Sequence, residues 1–529
     1  MRRRTRRLTK TDGVRNLARG RGRRRAPIDL DPGKFRRLGK TLVEDIAKFL
    51  ATIASREVNP GRSPREVRKL LKGGRRFPAE GTDPSKLLRE AAELVLDNSL
   101  LTGHPRFWGY ISSSGSPIGA LGDLLASSVN PNVGSFQLGP LATEMESQVI
   151  RWTAELIGYP TSTGGILVSG GNMANFVCFL AARRSSVPWN VRSEGLAAKS
   201  VGRFSVYTSA ETHTWIQKAA DLFGLGTESI RWIPVDTNLR MDVEELRRRI
   251  LEDRAQGCVP LMVVGTAGTV GTGGVDPLRE IAALCRQQKI WFHIDGAYGA
   301  PAAILKDAPE DLRAIGDADS VAVDPHKWLY APLEAGCALV KNPQNLLDTF
   351  SYRPPYYTFD GTDEDVPTNY YERGLQNSRS FRALKIWLGM RQVGLNGYRR
   401  MISDDVRLAE HLFECIGRYP ELEACSLGLS IVTFRFAPSG VDRSESGTEY
   451  LNKLNTDILA TLQKQGKAFC SSTLIGKKFV IRACIVNFRT DVEDVELLPA
   501  MVAEIGGKIH TPDRSVVSAR TPHRPAIRG

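Results

Sequence analysis

The stretch SVAVDPHKWLYAPLEAG, residues 320–336, decides how the rest of the chain is read. Ser320 to Val323 look like the end of a buried strand, and Trp328, Leu329 and Tyr330 resume the apolar character. Between them stands Asp-Pro-His-Lys, which places Lys327 away from bulk water. An amine held in apolar surroundings loses stabilisation of its charged form and becomes nucleophilic. Taken alone, Lys327 is equally well read as a surface lysine in a turn after a strand.

On either side, runs of β-forming residues (SVYTS, IRWIPV, PLMVVGTA, WFHIDGA, SVAVD and CALVKN) alternate with helical segments such as THTWIQKAADLFGL and DVEELRRRILEDRAQG. Runs that are apolar on both faces and separated by helices imply a mainly parallel sheet covered on both sides. In such α/β sheets, ligands gather at the carboxyl ends of the strands, and the polar residues of these runs fall there. The pattern divides the chain into a basic tail (1–30), a helical segment (31–110), a large α/β domain (111–395), a small α+β domain (396–510) and a tail (511–529). The small domain is read from two strand-like runs, LSIVTFRFA and KFVIRACIVN, with helices near 449–466 and 492–506.

The formal charge of +14 suggests a nucleic-acid binder until it is located. Residues 1–25 hold 11 Arg and one Lys against one Asp, so most of the excess sits in the tail and the body is nearly neutral. A segment with so few apolar residues cannot offset its ordering entropy and is expected to be disordered. No nucleic acid is expected as a partner, and no apolar run is long enough for a membrane span. The eight cysteines are scattered without a C-x-x-C pair, which favours reduced core residues in a cytoplasmic protein over disulfides. The seven histidines show no paired ligand spacing, so no metal is expected.

Three features lend weight to Lys327. Asp295, in WFHIDGAYGA, closes a buried strand, where a carboxylate needs a cationic partner or several donors. A protonated pyridine nitrogen would serve, and so would the N–H groups of a following turn. Ser169-Gly170-Gly171-Asn172 opens a helix directly after an apolar run, where glycines let free N–H groups close on an anion. It lacks the GK[ST] of a Walker loop, and it also reads as an ordinary helix start. His213, just before a helix, is placed either to stack on an aromatic cofactor or to cap the turn. Together these supply an anion site, a ring stack, a pyridinium partner and a reactive amine, the needs of pyridoxal 5'-phosphate (PLP).

The motifs HPRFWGYI, ATEMESQVIRW, GGNMANFVCFLAAR, HIDGAYGA, DPHKW, SRSFRALKIWLGMRQVGLNGY and KFVIRACIVNFRT resemble the group II PLP-dependent amino-acid decarboxylases across roughly residues 95–505. The resemblance implies a fold-type-I enzyme with a seven-stranded, mainly parallel sheet, working as a homodimer with its site at the subunit interface. It implies that Lys327 bonds the cofactor, Asp295 pairs with the ring nitrogen, His213 stacks on one ring face and Ala297 packs on the other. Gly171, Asn172 and His326 would lie at the phosphate and Thr266 near the ring hydroxyl. Tyr110, Ser112 and Ser113 would line the substrate side. A mobile loop, TFDGTDEDVPTNYYERG, would carry a catalytic tyrosine at Tyr370, with Tyr371 beside it as the alternative. A Phe at that position accompanies aldehyde formation in the family, so a tyrosine favours simple decarboxylation.

The implied reaction turns an L-amino acid into its amine and CO2. Aromatic substrates come first and glutamate or cysteine sulfinate second, with another PLP lyase or an aminotransferase as the alternative on the same fold. Two positions depart from the family pattern. Asp324 stands where Asn is frequent, and Asn132 and Gly134 stand where bulky apolar side chains would narrow an aromatic pocket.

Overall fold

The computed structural model describes residues 26–196, 202–353 and 366–511. The readings of the basic tail, of most of the C-terminal tail and of the first half of the expected loop lie outside those residues.

The chain forms two compact units. The smaller unit, which ends at Ile53 and resumes over Arg62–Ser99, holds three helices: α1 (Pro32–Thr52), α2 (Pro64–Leu70) and α3 (Pro84–Asn98). Each begins with a proline behind an Asp or Ser that accepts a backbone N–H, the arrangement that satisfies the unpaired donors of a helix start. Lys34 and Asp83 tie α1 to the start of α3 at 3.0 Å.

The larger unit contains Ala54–Gly61 and everything from Leu100 onward. Residues 100–110, read from sequence as part of the helical segment, therefore belong here, and the two-residue strand β1 (Phe107–Trp108) lies in its smaller sheet. Helices α4 (Pro117–Val129) and α5 (Pro140–Leu156) precede the main sheet. That sheet consists of β2 (Gly164–Val168), β3 (Phe204–Ser209), β4 (Ile230–Ile233), β5 (Val259–Thr266), β6 (Trp291–Asp295), β7 (Ser320–Val323) and β8 (Gly336–Val340), in the order β2-β8-β7-β6-β5-β3-β4. The pairings from β7 to β4 are parallel, and β8 alone runs against both its neighbours. This is the mainly parallel sheet expected from the alternating runs, with the seven strands that the resemblance implies. Its connections include α6 (Gly171–Ser186), α7 (Trp215–Leu222), α8 (Val243–Ala255) and α9 (Leu278–Gln288). Strands β2, β6, β7 and β8 are buried at every position, as a doubly covered sheet requires.

A long helix, α10 (Ala383–Ile416), breaks at Gly394 and runs into the second half of the unit. There, β9 (Leu422–Gly428), β10 (Ile431–Phe436), β11 (Phe469–Ile475) and β12 (Lys478–Cys484) form a sheet ordered β1-β11-β12-β10-β9, with α11 (Glu445–Lys464) and α12 (Val492–Ile509) alongside. The sequence revealed β10 and β12 but not β9 and β11. Most positions of β9 are only half buried, and β11 is interrupted by Ser471, Ser472 and Thr473 and loses full burial after its first three residues, so neither shows a continuous apolar run.

One buried carboxylate joins the two halves at the position that matters for Lys327. Asp405, on α10, accepts the Trp328 indole N–H at 2.8 Å and the Tyr330 hydroxyl. Burial pushes its carboxyl up from 3.8 to about 7, against the pull of these donors. Between those two values the folded chain holds a proton that the unfolded chain has released, so stability contributed here falls as pH rises from about 4 to 7. Asp405→Asn keeps an oxygen for both donors and removes the titration. Its melting temperature is expected to gain steadily on that of the wild type as pH is raised from acid to neutral, measured by thermal unfolding across that range.

Candidate active site

The parallel pairing of β6 with β7 sets Asp295 opposite Ala322, and that of β5 with β6 sets Thr266 opposite Asp295. The carboxyl ends of these strands therefore carry Thr266, Asp295 and the Asp324–Lys327 turn to one edge of the sheet. The start of α6 and the turn before α7 complete a cavity of about 270 Å3. All eight residues expected to hold the cofactor line it.

Asp295 is buried, and its two oxygens are held apart in role. Oδ2 accepts the Trp215 indole N–H at 2.8 Å, and Oδ1 accepts the Ala297 backbone N–H at 3.2 Å. Trp215 was not singled out from the sequence, because an apolar residue at the start of an amphipathic helix reads only as core. His213 Nδ1 accepts the Trp215 backbone N–H at 3.3 Å, so the neutral ring carries its proton on Nε2. Burial lowers its pKa, with Asp295 the largest opposing influence, which keeps the imidazole neutral. His326 Nδ1 lies 2.6 Å from the Ala335 carbonyl, a bond possible because β8 turns back against β7. Lys327 is not sealed from water as its sequence context suggested. Its side chain keeps 16% exposure, and Nζ pairs with Asp324 Oδ2 at 3.1 Å.

Several observations show that these residues fit a phosphate-bearing aromatic ring. No side chain caps α6, and Gly170 turns into it with φ +95°, so the first N–H groups of a 16-residue helix are left for an anion. A Cβ on Gly171 would meet Asp324 Oδ2 at 2.6 Å and the Ala297 methyl at 3.3 Å. Thr266 Oγ1 is buried in the cavity wall with no partner, a hydroxyl awaiting one.

A second cavity of about 370 Å3 shares His213, Val270 and Lys327 with the first and extends over Tyr110 to Ser471, Thr473 and Arg482. Arg482 is buried; it donates to the Tyr110 carbonyl at 2.8 Å through Nη1, while Nε and Nη2 have no partner. Sequence reading missed it, because an arginine inside a strand run looks like an outward-facing residue. Of the three residues expected on the substrate side, only Tyr110 lines this cavity. Ser113 Oγ instead donates to the His326 carbonyl at 2.7 Å and steadies the lysine turn, and Ser112 lines neither cavity.

Two further expectations are redirected. Tyr370 is fully buried, its hydroxyl 2.9 Å from Ser147 Oγ and its ring 4.8 Å from the Arg379 guanidinium, and it lines neither cavity. Neighbouring Tyr371 lines neither cavity either. Gly134 does not widen a pocket: a Cβ there would stand 2.2 Å from the Asn377 carbonyl oxygen, and the Asn132 side chain accepts the N–H groups of Gly134 and Arg379 at 3.0 Å. As for metals, among the described residues His411, Cys415 and Glu496 come within ligand spacing of one another. They belong to α10 and α12 and line neither cavity.

A buried lysine turn, a strand-end aspartate and a neutral histidine around one cavity define a PLP-type site. Residues 64–437 match the family described as the pyridoxal-dependent decarboxylase conserved domain, and the chain belongs to that family. Over 469 residues it is 32% identical to an aromatic-L-amino-acid decarboxylase of Bacillus atrophaeus, covering 88% of this chain and 94% of that one. It is 29% identical to a phenylacetaldehyde synthase of a Rosa hybrid cultivar over 86% of this chain and 90% of that one. Among solved structures it is similar to Oryza sativa TDC crystallised with PLP and tryptamine, with a TM-score of 0.84, 25% identity, and coverage of 92% and 99%. The chain is thus a PLP-dependent carboxy-lyase of fold type I.

The geometry around Tyr370 gives a direct expectation. Tyr370→Phe removes a buried hydroxyl and leaves Ser147 short of a partner, costing about 1 kcal/mol. The variant should melt earlier, measured by thermal unfolding, and a rise in aldehyde over amine on chromatography of its products would mark the hydroxyl as part of the reaction as well.

Proposed function

We propose that this protein decarboxylates an aromatic L-amino acid, with Lys327, Asp295 and His213 as its working residues. The observation that carries the reading is that these three meet in one cavity, which opens past Tyr110 into a second. When bound, PLP supplies the electron sink for the pair left at Cα as CO2 departs. Asp295 keeps the ring nitrogen protonated, and Trp215 and the Ala297 N–H hold that carboxylate in orientation. Asn172 and Gly171 offer N–H groups to the phosphate, with His326 beside them. Thr266 Oγ1 offers a hydroxyl to the ring oxygen, and Ala297 presents a flat methyl wall to one ring face. The proton that returns to Cα would come from the loop tyrosine Tyr370, with His213 Nε2 placed to assist. The Tyr370 hydroxyl bonds Ser147 within this chain and would have to leave that bond to take part. Just before that loop stand Tyr356 and Tyr357, which fall outside the described residues and are further donors to test.

The aromatic reading rests on the relatives' activities and on Tyr110, whose ring lines the second cavity. Arg482 favours the second reading, an acidic substrate, because two guanidinium nitrogens point at no partner of their own. A CO2-release screen over the proteinogenic amino acids, DOPA and cysteine sulfinate separates them. Phenylalanine, tyrosine, tryptophan or DOPA should turn over fastest. Preference for glutamate or cysteine sulfinate would install the acidic reading, and transamination without CO2 would install an aminotransferase.

The working form is proposed to be a homodimer. Helices α1 and α3 bury no residue, while Phe35, Val43, Leu87 and Val95 stand at least 46% exposed, more apolar surface than a lone unit leaves open without a partner. Light scattering of the purified chain should give twice the monomer mass of 58.3 kDa, and a monomer at working concentrations would sink the dimer. A cytoplasmic location is supported by eight cysteines that are all unpaired.

A further inference from the structure

Asp324 is the residue of the lysine turn that the proposed function leaves without a task. It is 2% exposed, and its Oδ2 lies 3.1 Å from Lys327 Nζ and 3.8 Å from His326 Nε2. Oδ1 has no partner at all. The backbone fixes the side chain in place: Asp324 N–H donates to the Ala297 carbonyl at 3.1 Å, and the Asp324 carbonyl accepts the Lys327 N–H at 2.9 Å. Lys327 is thus caught by both its backbone and its side chain on the same residue. An ammonium in an ion pair has no lone pair to offer to carbon, and a buried carboxylate is a partner it leaves only at a cost.

We infer that Asp324 is a positioning residue that parks Lys327 as an ion pair in the cofactor-free chain and thereby limits the rate of cofactor loading. The inference rests on the reading of Lys327 as the residue that bonds PLP. Loading requires the ammonium to leave Asp324 and give one proton to solvent. The nitrogen lone pair then forms the bond to the aldehyde carbon. The two remaining N–H protons depart with the aldehyde oxygen as water, leaving a carbon–nitrogen double bond. Each of these events waits on separation of the Asp324–Lys327 pair, so the pair sets a barrier that an uncharged residue at 324 would not.

The test follows loading rather than turnover. Cofactor-free protein is mixed with PLP or with pyridoxal, which lacks the phosphate, and the visible absorbance of the covalent link is timed. Borohydride trapping and peptide mass then confirm Lys327 as its site. Asp324→Asn should load faster by roughly tenfold, the factor expected of a partly buried ion pair, and by the same factor with both aldehydes. Asp324→Ser, a second uncharged variant, guards against misfolding of the first and should also load fast, while Asp324→Glu should stay slow. Uncharged variants that load no faster than wild type overturn the inference. So does acceleration with PLP alone, which would make Asp324 a group that repels the phosphate. A wild-type chain that forms no link with either aldehyde sinks the Lys327 reading itself, a result distinct from both.

Discussion

The structure depends on a carboxylate that belongs to neither the cofactor nor the substrate. Asp405 reaches from the long helix into the lysine turn and takes hydrogen bonds from both Trp328 and Tyr330. The turn leaves a strand only four residues long, so it has little sheet pairing of its own to hold it. Buried polar atoms without partners are expensive, and here the indole, the phenol and the carboxylate satisfy one another. The Tyr298 ring stacks on Trp328 at 4.6 Å between centroids, and the Tyr298 hydroxyl bonds Ser430, in the turn between β9 and β10, at 2.7 Å. The position of Lys327 is therefore set jointly by two cores that the chain builds some distance apart in sequence.

Within that frame, the chemistry is divided by local environment. Asp295 is held by two neutral N–H donors rather than by a cation, which leaves its charge uncommitted within the chain. His213 is kept neutral by burial and tautomerically fixed by one backbone N–H. Lys327 alone begins in an ion pair. A common sheet edge thus presents three titratable groups in three different charge settings, and each setting follows from neighbours that are fixed by strand register.

Much of this was legible in the sequence because it depends on periodicity and on strand ends. The alternation of apolar runs and helices located the main sheet, and the polar residues closing those runs marked the edge at which the inner cavity lies. What stayed hidden was whatever depends on partners distant in the chain. Trp215 reads as core until its indole is seen on Asp295. Arg482 reads as an ordinary strand residue until it is found buried in the wall of the second cavity with two nitrogens unpartnered. Ser113 and Tyr370 carried the right chemistry for a site, yet their hydroxyls are taken up by the His326 carbonyl and by Ser147. Residue type announces what a side chain can do, and only the fold reveals whether it is free to do it.

The two cavities draw on different parts of the chain. The one around Asp295 is walled entirely by residues 169–327, whereas the one beyond Lys327 takes most of its wall from Tyr110, Ile111 and residues 459–482. Only three residues serve both. Apart from those three, the residues that shape the outer chamber are not among those that line the inner one. A chain built this way can vary an outer wall drawn largely from its C-terminal third without altering the residues around Asp295.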